Sequence, residues 1–166
     1  GYKQVERKEK YIVDDQLDGS ITIYQDVDSM KKIGIIITSH GKFCLGAVDS
    51  LKMIIGGCDD IETVSVTLTS SVQEIEKEMN DIYEKLSKTS SEILIFTDLI
   101  CGTPNNVAVK LLMEKDNITI VTGYNLAILV ELINKRNCGC ETVSELLENE
   151  ETIFKDSNRI LKKEED

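Results

Sequence analysis

Short apolar runs alternate with helical apolar patterns from residue 33 onward. Continuous, largely β-branched runs at 33–38 and 93–97 are typical of strands that are buried on both faces of a parallel sheet. Residues 118–122 form a similar run, and the alternating apolar positions at 64–68 predict a further strand. Strands that alternate with helices predict an α/β fold, namely a doubly wound, mostly parallel sheet with helices on both faces.

Local signals mark the ends of the predicted helices. A serine or threonine followed three residues later by glutamate is a capping-box signature, which occurs at Ser71–Glu74 and Thr142–Glu145. Thr103 before Pro104 predicts an N-cap followed by proline at the first helical position. The apolar spacing then predicts helices over residues 44–55, 72–86, 103–112 and 126–133, and one long final helix from Thr142 to Leu161.

Residues 1–32 differ from the rest of the chain. Two apolar segments, 11–13 and 21–24, flank Asp18-Gly19, and this arrangement is a hairpin signal. We interpret residues 1–32 as an N-terminal extension, either a hairpin or the tail of an upstream domain. Residues 33–166 are predicted to form one domain, which suits a chain of 166 residues.

Charge and cysteine content narrow the class of protein. The net charge is −11 without a basic stripe, which argues against nucleic acid as a partner. The longest apolar runs are far shorter than the roughly 20 residues that cross a bilayer. Five cysteines, an odd number, and no visible signal peptide predict reduced thiols and a cytoplasmic location.

Polar residues that could take part in catalysis or binding follow three of the predicted strands. The first strand ends in Thr38-Ser39-His40-Gly41, and the third ends in Thr97-Asp98, shortly before Gly102-Thr103-Pro104. The fourth ends in Thr122-Gly123-Tyr124-Asn125. In an open α/β sheet, sites collect at the carboxyl ends of the strands, where the strand order reverses. If the first and third strands are neighbours, His40 and Asp98 meet at that edge.

This set of residues suits phosphoryl transfer. A carboxylate that accepts a hydrogen bond from one imidazole nitrogen leaves the other nitrogen free as a nucleophile. The turn at Gly102 and Thr103 offers backbone N–H groups and a hydroxyl at a helix N-terminus. We therefore predict His40 and Asp98 as catalytic residues, with Ser39, Gly41, Gly102 and Thr103 as phosphate-binding residues. Taken singly, each has an ordinary explanation as a loop or capping residue.

Three stretches resemble the IIA component of the mannose/fructose/sorbose-type phosphotransferase family. They are Ile35-Ile36-Ile37-Thr38-Ser39-His40-Gly41-Lys42-Phe43, Phe96-Thr97-Asp98-Leu99-Ile100-Cys101-Gly102-Thr103-Pro104-Asn105-Asn106, and Gly123-Tyr124-Asn125-Leu126-Ala127-Ile128-Leu129-Val130-Glu131. The resemblance covers roughly residues 33–163, in the order of the family. Cys101 departs from it, because it stands where the family's loop has its first glycine.

The resemblance implies a function and partners. His40 would take a phosphoryl group from phospho-HPr and pass it to a IIB domain, with the membrane IIC and IID components as indirect partners. Asp98 would orient the ring, and Thr103, at the family's serine position, would donate a hydrogen bond to the phosphate. The family also implies a homodimer, phosphotransferase activity and no cofactor or metal.

Two alternatives stay open at this point. A related IIA-like domain occurs in transcriptional activators that the phosphotransferase system controls, where phosphorylation regulates instead of transporting. In a different class, His40, Cys44 and Cys101 have the residue types of a zinc site.

Overall fold

The computed structural model describes residues 32–165. The predicted extension, apart from Lys32, lies outside the described residues. Strands and helices alternate along the described part of the chain: β1 (Ile33–His40), α1 (Phe43–Ile54), β2 (Ile61–Val66), α2 (Val72–Leu86), β3 (Glu92–Thr97), α3 (Thr103–Glu114), β4 (Ile118–Thr122), α4 (Leu126–Asn137), α5 (Val143–Leu146) and α6 (Glu150–Asp156). Within residues 32–165, no helix has both the length and the apolar character needed to span a membrane.

The four strands form one parallel sheet in the order β2-β1-β3-β4. The chain leaves β1 toward one side to make β2 and returns to the other side of β1 to make β3. The strand order therefore reverses between β1 and β3, where Thr38 lies in register with Thr97. This confirms the predicted α/β fold, and it confirms that the first and third strands are neighbours.

The sheet is covered by helices on both faces. Ile35 and Ile37 of β1 belong to the core cluster that contains residues of α1 and α4, whereas Ile36 belongs to the cluster that contains residues of α2 and α3. Every residue of β1 from Ile33 to Ser39 is buried. The continuous apolar run in the sequence thus corresponds to a strand whose two faces both pack against helices.

The capping box at the start of α2 forms as predicted. Ser71 Oγ accepts a hydrogen bond from the Glu74 backbone N–H at 3.1 Å, and Glu74 Oε1 accepts one from the Ser71 N–H at 2.8 Å. Two N–H groups that a helix start leaves without partners are satisfied in this way.

The prediction of one long final helix from Thr142 to Leu161 is wrong. The capping box at Thr142 forms, but α5 ends at Leu146, α6 is separate, and residues 158–165 carry no helix. The stretch Glu148–Thr152 contains no apolar residue, so a continuous helix would have nothing to bury there. The strand predicted to reach Leu68 also stops earlier, at Val66, and the Leu68 side chain is fully exposed.

Candidate active site

His40 and Asp98 meet at the carboxyl edge of the sheet. The His40 ring Nδ1 lies 2.9 Å from Asp98 Oδ2, and the same oxygen accepts the His40 backbone N–H at 2.8 Å. The second carboxylate oxygen, Oδ1, accepts the Leu99 N–H at 2.9 Å. Because two backbone N–H groups hold the carboxylate, its orientation is fixed where it meets the imidazole.

Electrostatics keep the Asp98 carboxyl ionised. Burial by itself raises the pKa of Asp98, but the hydrogen bonds from the His40 backbone and ring, the charge of His40 and the Leu99 N–H together outweigh it. The pKa of Asp98 therefore lies below its ordinary value. An ionised carboxylate only accepts hydrogen bonds, so the proton in this contact belongs to Nδ1 of His40. In the neutral form of the ring, the lone pair is then on Nε2.

Gly102 lies directly against the free nitrogen. A Cβ atom built on Gly102 would stand 2.8 Å from Nε2 and 2.9 Å from Cε1 of His40. The backbone of Gly102 also has φ of +104°, a conformation that other residues rarely adopt. This position thus needs glycine for two reasons, and the side chain of His40 remains 49% exposed on its outer side.

The N-terminus of α3 faces the same place. Gly102 is the N-cap of α3 and Thr103 its first residue, which corrects the prediction that Thr103 is the N-cap. The first N–H groups of a helix have no partner within the helix and carry partial positive charge. Pro104 within the first turn has no N–H and suits this start. The arrangement beside Nε2 can therefore stabilise the oxygens of a phosphoryl group.

The other two predicted phosphate-binding residues, Ser39 and Gly41, make hydrogen bonds to backbone groups. Ser39 is buried; its Oγ accepts the Cys44 N–H at 2.8 Å and donates to the Gly41 carbonyl at 3.2 Å. The N–H of Gly41 donates to the Val66 carbonyl at 2.7 Å, and Gly41 has φ of +58°. Both residues shape the turn between β1 and α1: the Ser39 hydroxyl bonds within that turn, and the Gly41 N–H bonds to the end of β2.

Sequence reasoning did not assign a role to Tyr124. Its ring stacks on Phe43 with centroids 5.5 Å apart, and its hydroxyl donates to the Thr38 carbonyl at 3.3 Å. Burial and the nearby charges of Cys44 and Asp98 raise the pKa of Tyr124, so the phenol stays protonated and keeps donating. Tyr124 thereby supports the end of β1, from which His40 projects. The only sequence signal was its place after the fourth strand.

The zinc alternative finds no support in the geometry. The Cys44 side chain is buried, and its Sγ lies 3.6 Å from the Val64 carbonyl and 3.3 Å from Ser65 Oγ. Cys101 is instead exposed on the loop that follows β3. Across residues 32–165, no group of three or more histidine, cysteine, aspartate or glutamate residues is arranged to hold a metal ion. His40, Cys44 and Cys101 therefore do not form such a group.

The fold and this edge of the sheet define a class of protein, the IIA components of sugar phosphotransferase systems. The chain belongs to the mannose-type IIA family: the family model described as "PTS system fructose IIA component" matches residues 34–150. Members of this family take part in phosphoryl transfer in sugar transport.

Individual relatives agree with this assignment. The chain is 27% identical over 104 residues to the fructose-specific EIIA component of Bacillus subtilis, covering 63% of this chain and 70% of that protein. The mannose/sorbose-specific IIA subunit of Enterococcus faecalis superposes with a TM-score of 0.69 at 26% identity, covering 81% of this chain and 98% of that one. A sigma-54 interaction domain protein of Enterococcus faecalis has a TM-score of 0.63 at 19% identity over 75% of this chain and 91% of its own, a likeness of fold alone.

Proposed function

We propose that this domain carries a phosphoryl group on Nε2 of His40, taking it from phospho-HPr and passing it to a IIB domain during sugar uptake. The observation that carries the proposal is the contact between Nδ1 and Asp98, which leaves Nε2 bare beside Gly102 and the start of α3. Asp98 orients the His40 ring through the hydrogen bond to Nδ1, and the Thr103 hydroxyl donates a hydrogen bond to the phosphate.

In the proposed transfer, every bond and electron pair is accounted for by the two histidines and the phosphoryl group. The lone pair of Nε2 attacks the phosphorus of the donor's phosphohistidine, the Nε2–P bond forms, and the donor's N–P bond breaks. The donor imidazole leaves with the electron pair of that bond. The proton on Nδ1 stays in its hydrogen bond with Asp98, which offsets the positive charge that develops on the ring. In unloading, a IIB residue attacks the phosphorus, its bond to phosphorus forms, the Nε2–P bond breaks, and Nε2 of His40 keeps the electron pair of that bond.

Exposed apolar side chains around the site support a protein as the transfer partner. Phe43, Leu99, Ile100 and Leu126 are 40–75% exposed. All four belong to segments that follow the carboxyl ends of the strands. Apolar groups of this kind are typical of protein–protein contact surfaces. The net charge of −11 would attract a basic partner.

Location and assembly follow from the same proposal. The five cysteines are free, which suits the reducing cytoplasm in which phospho-HPr is made. We infer a homodimer from membership of the family, and light scattering on the purified chain tests this.

A regulatory role is the second candidate. The observation that favours it is the likeness of fold to the sigma-54 interaction domain protein. In that case His40 would still be phosphorylated, but the phosphate would alter the activity of an attached regulator. Transfer from the labelled chain to a IIB domain separates the two roles.

The test uses the single histidine of the chain. Incubation with phosphoenolpyruvate, Enzyme I and HPr is expected to place one acid-labile phosphate on the protein, and His40→Ala is expected to take none. Since His40 is the only histidine among 166 residues, no neighbouring imidazole can substitute. Asn117→Ala, at the opposite edge of the sheet, serves as the control and should label normally. A wild-type chain that takes no phosphate would refute the proposal.

A further inference from the structure

One side chain ties down the loop between β3 and α3. Asn105 Oδ1 accepts a hydrogen bond from Thr97 Oγ1 at 2.9 Å, and its Nδ2 donates to the Ile100 carbonyl at 2.8 Å. Asn105 is 8% exposed, so both bonds form largely away from water. The side chain therefore connects the last residue of the strand, the middle of the loop and the first turn of the helix.

The loop that Asn105 holds carries both groups that flank the His40 ring. Asp98, bonded to Nδ1, follows Thr97 directly, and Gly102, against Nε2, comes two residues after Ile100. The position of the imidazole between these two residues thus depends on where the loop is fixed. A displacement of about 1 Å in a reacting group can slow a reaction by about a hundredfold.

An amide is the side chain that this position requires. Asn105 must accept from a hydroxyl and donate to a carbonyl at the same time, which a carboxylate cannot do. Three threonines, Thr38, Thr97 and Thr122, lie in register near the carboxyl edge of the sheet, and their hydroxyls have different partners. Thr38 Oγ1 donates to the Val64 carbonyl within the sheet, and Thr122 Oγ1 has no partner within residues 32–165. Among these three, Thr97 is the residue that connects the sheet to α3.

We propose that Asn105, held by Thr97, is a positioning residue for the reaction at Nε2 of His40; the inference rests on the proposed function. Asn105 touches no reacting atom. It acts by keeping Gly102 and the start of α3 at the distance that a phosphoryl group on Nε2 needs.

The fold supplies a matched control at the opposite edge of the sheet. Asn117 Oδ1 accepts from the Tyr83 hydroxyl at 2.6 Å, and its Nδ2 donates to the Ser91 carbonyl at 2.9 Å. Asn117 therefore makes the same pair of bonds, a hydroxyl and a carbonyl, just before β4 begins. It contacts neither His40 nor the loop that follows β3, so its loss affects stability without affecting the site.

The experiment compares Asn105→Ala, Thr97→Val, Thr97→Ser and Asn117→Ala in the whole chain. Each variant is phosphorylated in two ways, by phospho-HPr and by phosphoramidate, a small donor that needs no docking surface. The thermal midpoint and the hydrolysis rate of the isolated phosphoprotein are measured as well.

We expect Asn105→Ala to slow labelling of His40 at least tenfold with both donors. The loss with phosphoramidate should match the loss with phospho-HPr, because phosphoramidate does not use the exposed side chains of Leu99 and Ile100 on the same loop. Thr97→Val should be slower than wild type, and Thr97→Ser should recover most of the rate. Asn117→Ala should lose thermal stability to a similar extent and stay within twofold of the wild-type rate.

Each result supports or contradicts the positioning role of Asn105. A folded Asn105→Ala variant that labels within twofold of wild type overturns the proposal, as does an equal loss of rate in Asn117→Ala. If Asn105→Ala does not fold, the two Thr97 variants carry the test. Labelling by phosphoramidate but not by phospho-HPr refutes the proposed donor and leaves the positioning role supported by the variants. A wild-type chain that neither donor labels overturns both.

Discussion

A Cβ atom on Gly102 would lie 2.8 Å from Nε2 of His40. A Cβ atom does not come so close to an atom to which it is not bonded, so the loop and the ring fit together only while residue 102 is glycine. The backbone of Gly102 contributes a second constraint through its φ of +104°. This contact links the identity of one loop residue to the reactivity of the proposed nucleophile.

Replacing Gly102 with alanine should therefore block transfer. The added methyl group must push either the imidazole or the loop away, and the positive φ adds backbone strain of about 1 kcal/mol or more. We expect Gly102→Ala to lower the rate of His40 phosphorylation by about two orders of magnitude, a size that follows from misplacement of the reacting groups.

Gly56→Ala provides the control for this variant. Gly56 also has a positive φ, of +77°, but a Cβ there would meet no atom within 4 Å. It should cost stability through strain alone and keep the wild-type transfer rate. Equal transfer rates for Gly102→Ala and Gly56→Ala would contradict the steric explanation.

The Asp98 carboxylate should make the stability depend on pH in the acid range. Its pKa is lowered in the folded protein, so its stabilising contribution is fully present above the unfolded value of about 3.9 and is lost as the pH falls through the lower folded value. We expect wild type to exceed Asp98→Asn by about 1–2 kcal/mol in free energy of unfolding at pH 4.5, a range set by hydrogen bonds to a charged group. That difference should shrink toward pH 2.

Urea unfolding at steps between pH 2 and 4.5 measures this difference. Asp81→Asn is the matched control, because Asp81 is an exposed carboxylate that pairs with Lys77 at the surface. Its difference from wild type should be much smaller across the range. A constant Asp98→Asn difference down to pH 2 would show that the carboxylate is not held as we describe.

Thr103 should contribute through its hydroxyl. It is the first residue of α3, beside the N-cap that faces Nε2, and valine has nearly its shape without the donor. We expect Thr103→Val to slow phosphorylation of His40 by about tenfold, the equivalent of one net hydrogen bond of about 1–1.5 kcal/mol. Thr103→Ser should stay close to wild type. Transfer kinetics with both variants test this, and equal rates for valine and threonine would remove the hydroxyl from the site.

The capping box of α2 offers a test of stability that is independent of function. Ser71→Ala removes the acceptor for the Glu74 N–H, and a lost N-cap costs about 1 kcal/mol. We expect a lower urea midpoint with an unchanged rate of phosphoryl transfer, because α2 begins after β2 at an outer position of the sheet order. A loss of transfer with unchanged stability would be the opposite of this expectation.

The sequence predicted the parts of the fold that depend on local pattern. Continuous apolar runs such as Ile33–Ile37 indicated buried strands, and strand ends rich in polar residues indicated where His40 and Asp98 would meet. Both depend on periodicity and on the general geometry of parallel sheets. The resemblance to the family added the specific chemistry.

What the sequence did not show depends on contacts across the chain. The roles of Asn105 and Tyr124 arise from hydrogen bonds to Thr97 and Thr38, which no spacing rule encodes. The burial of the Ser39 hydroxyl follows from the turn into α1, and its position beside the nucleophile in sequence suggested a different role. The break between α5 and α6 coincides with the polar stretch 148–152, whereas a capping signal such as the one at Thr142 marks only where a helix begins.

The bond between His40 and Asp98 joins residues that are 58 positions apart in the chain. A contact of this span requires a long loop to close. A growing polypeptide that has emerged only as far as α2 contains the imidazole but not yet the acid that fixes its tautomer. On the proposed function, the chain becomes competent for transfer only when β3 has been synthesised and has paired with β1, because Asp98 directly follows β3.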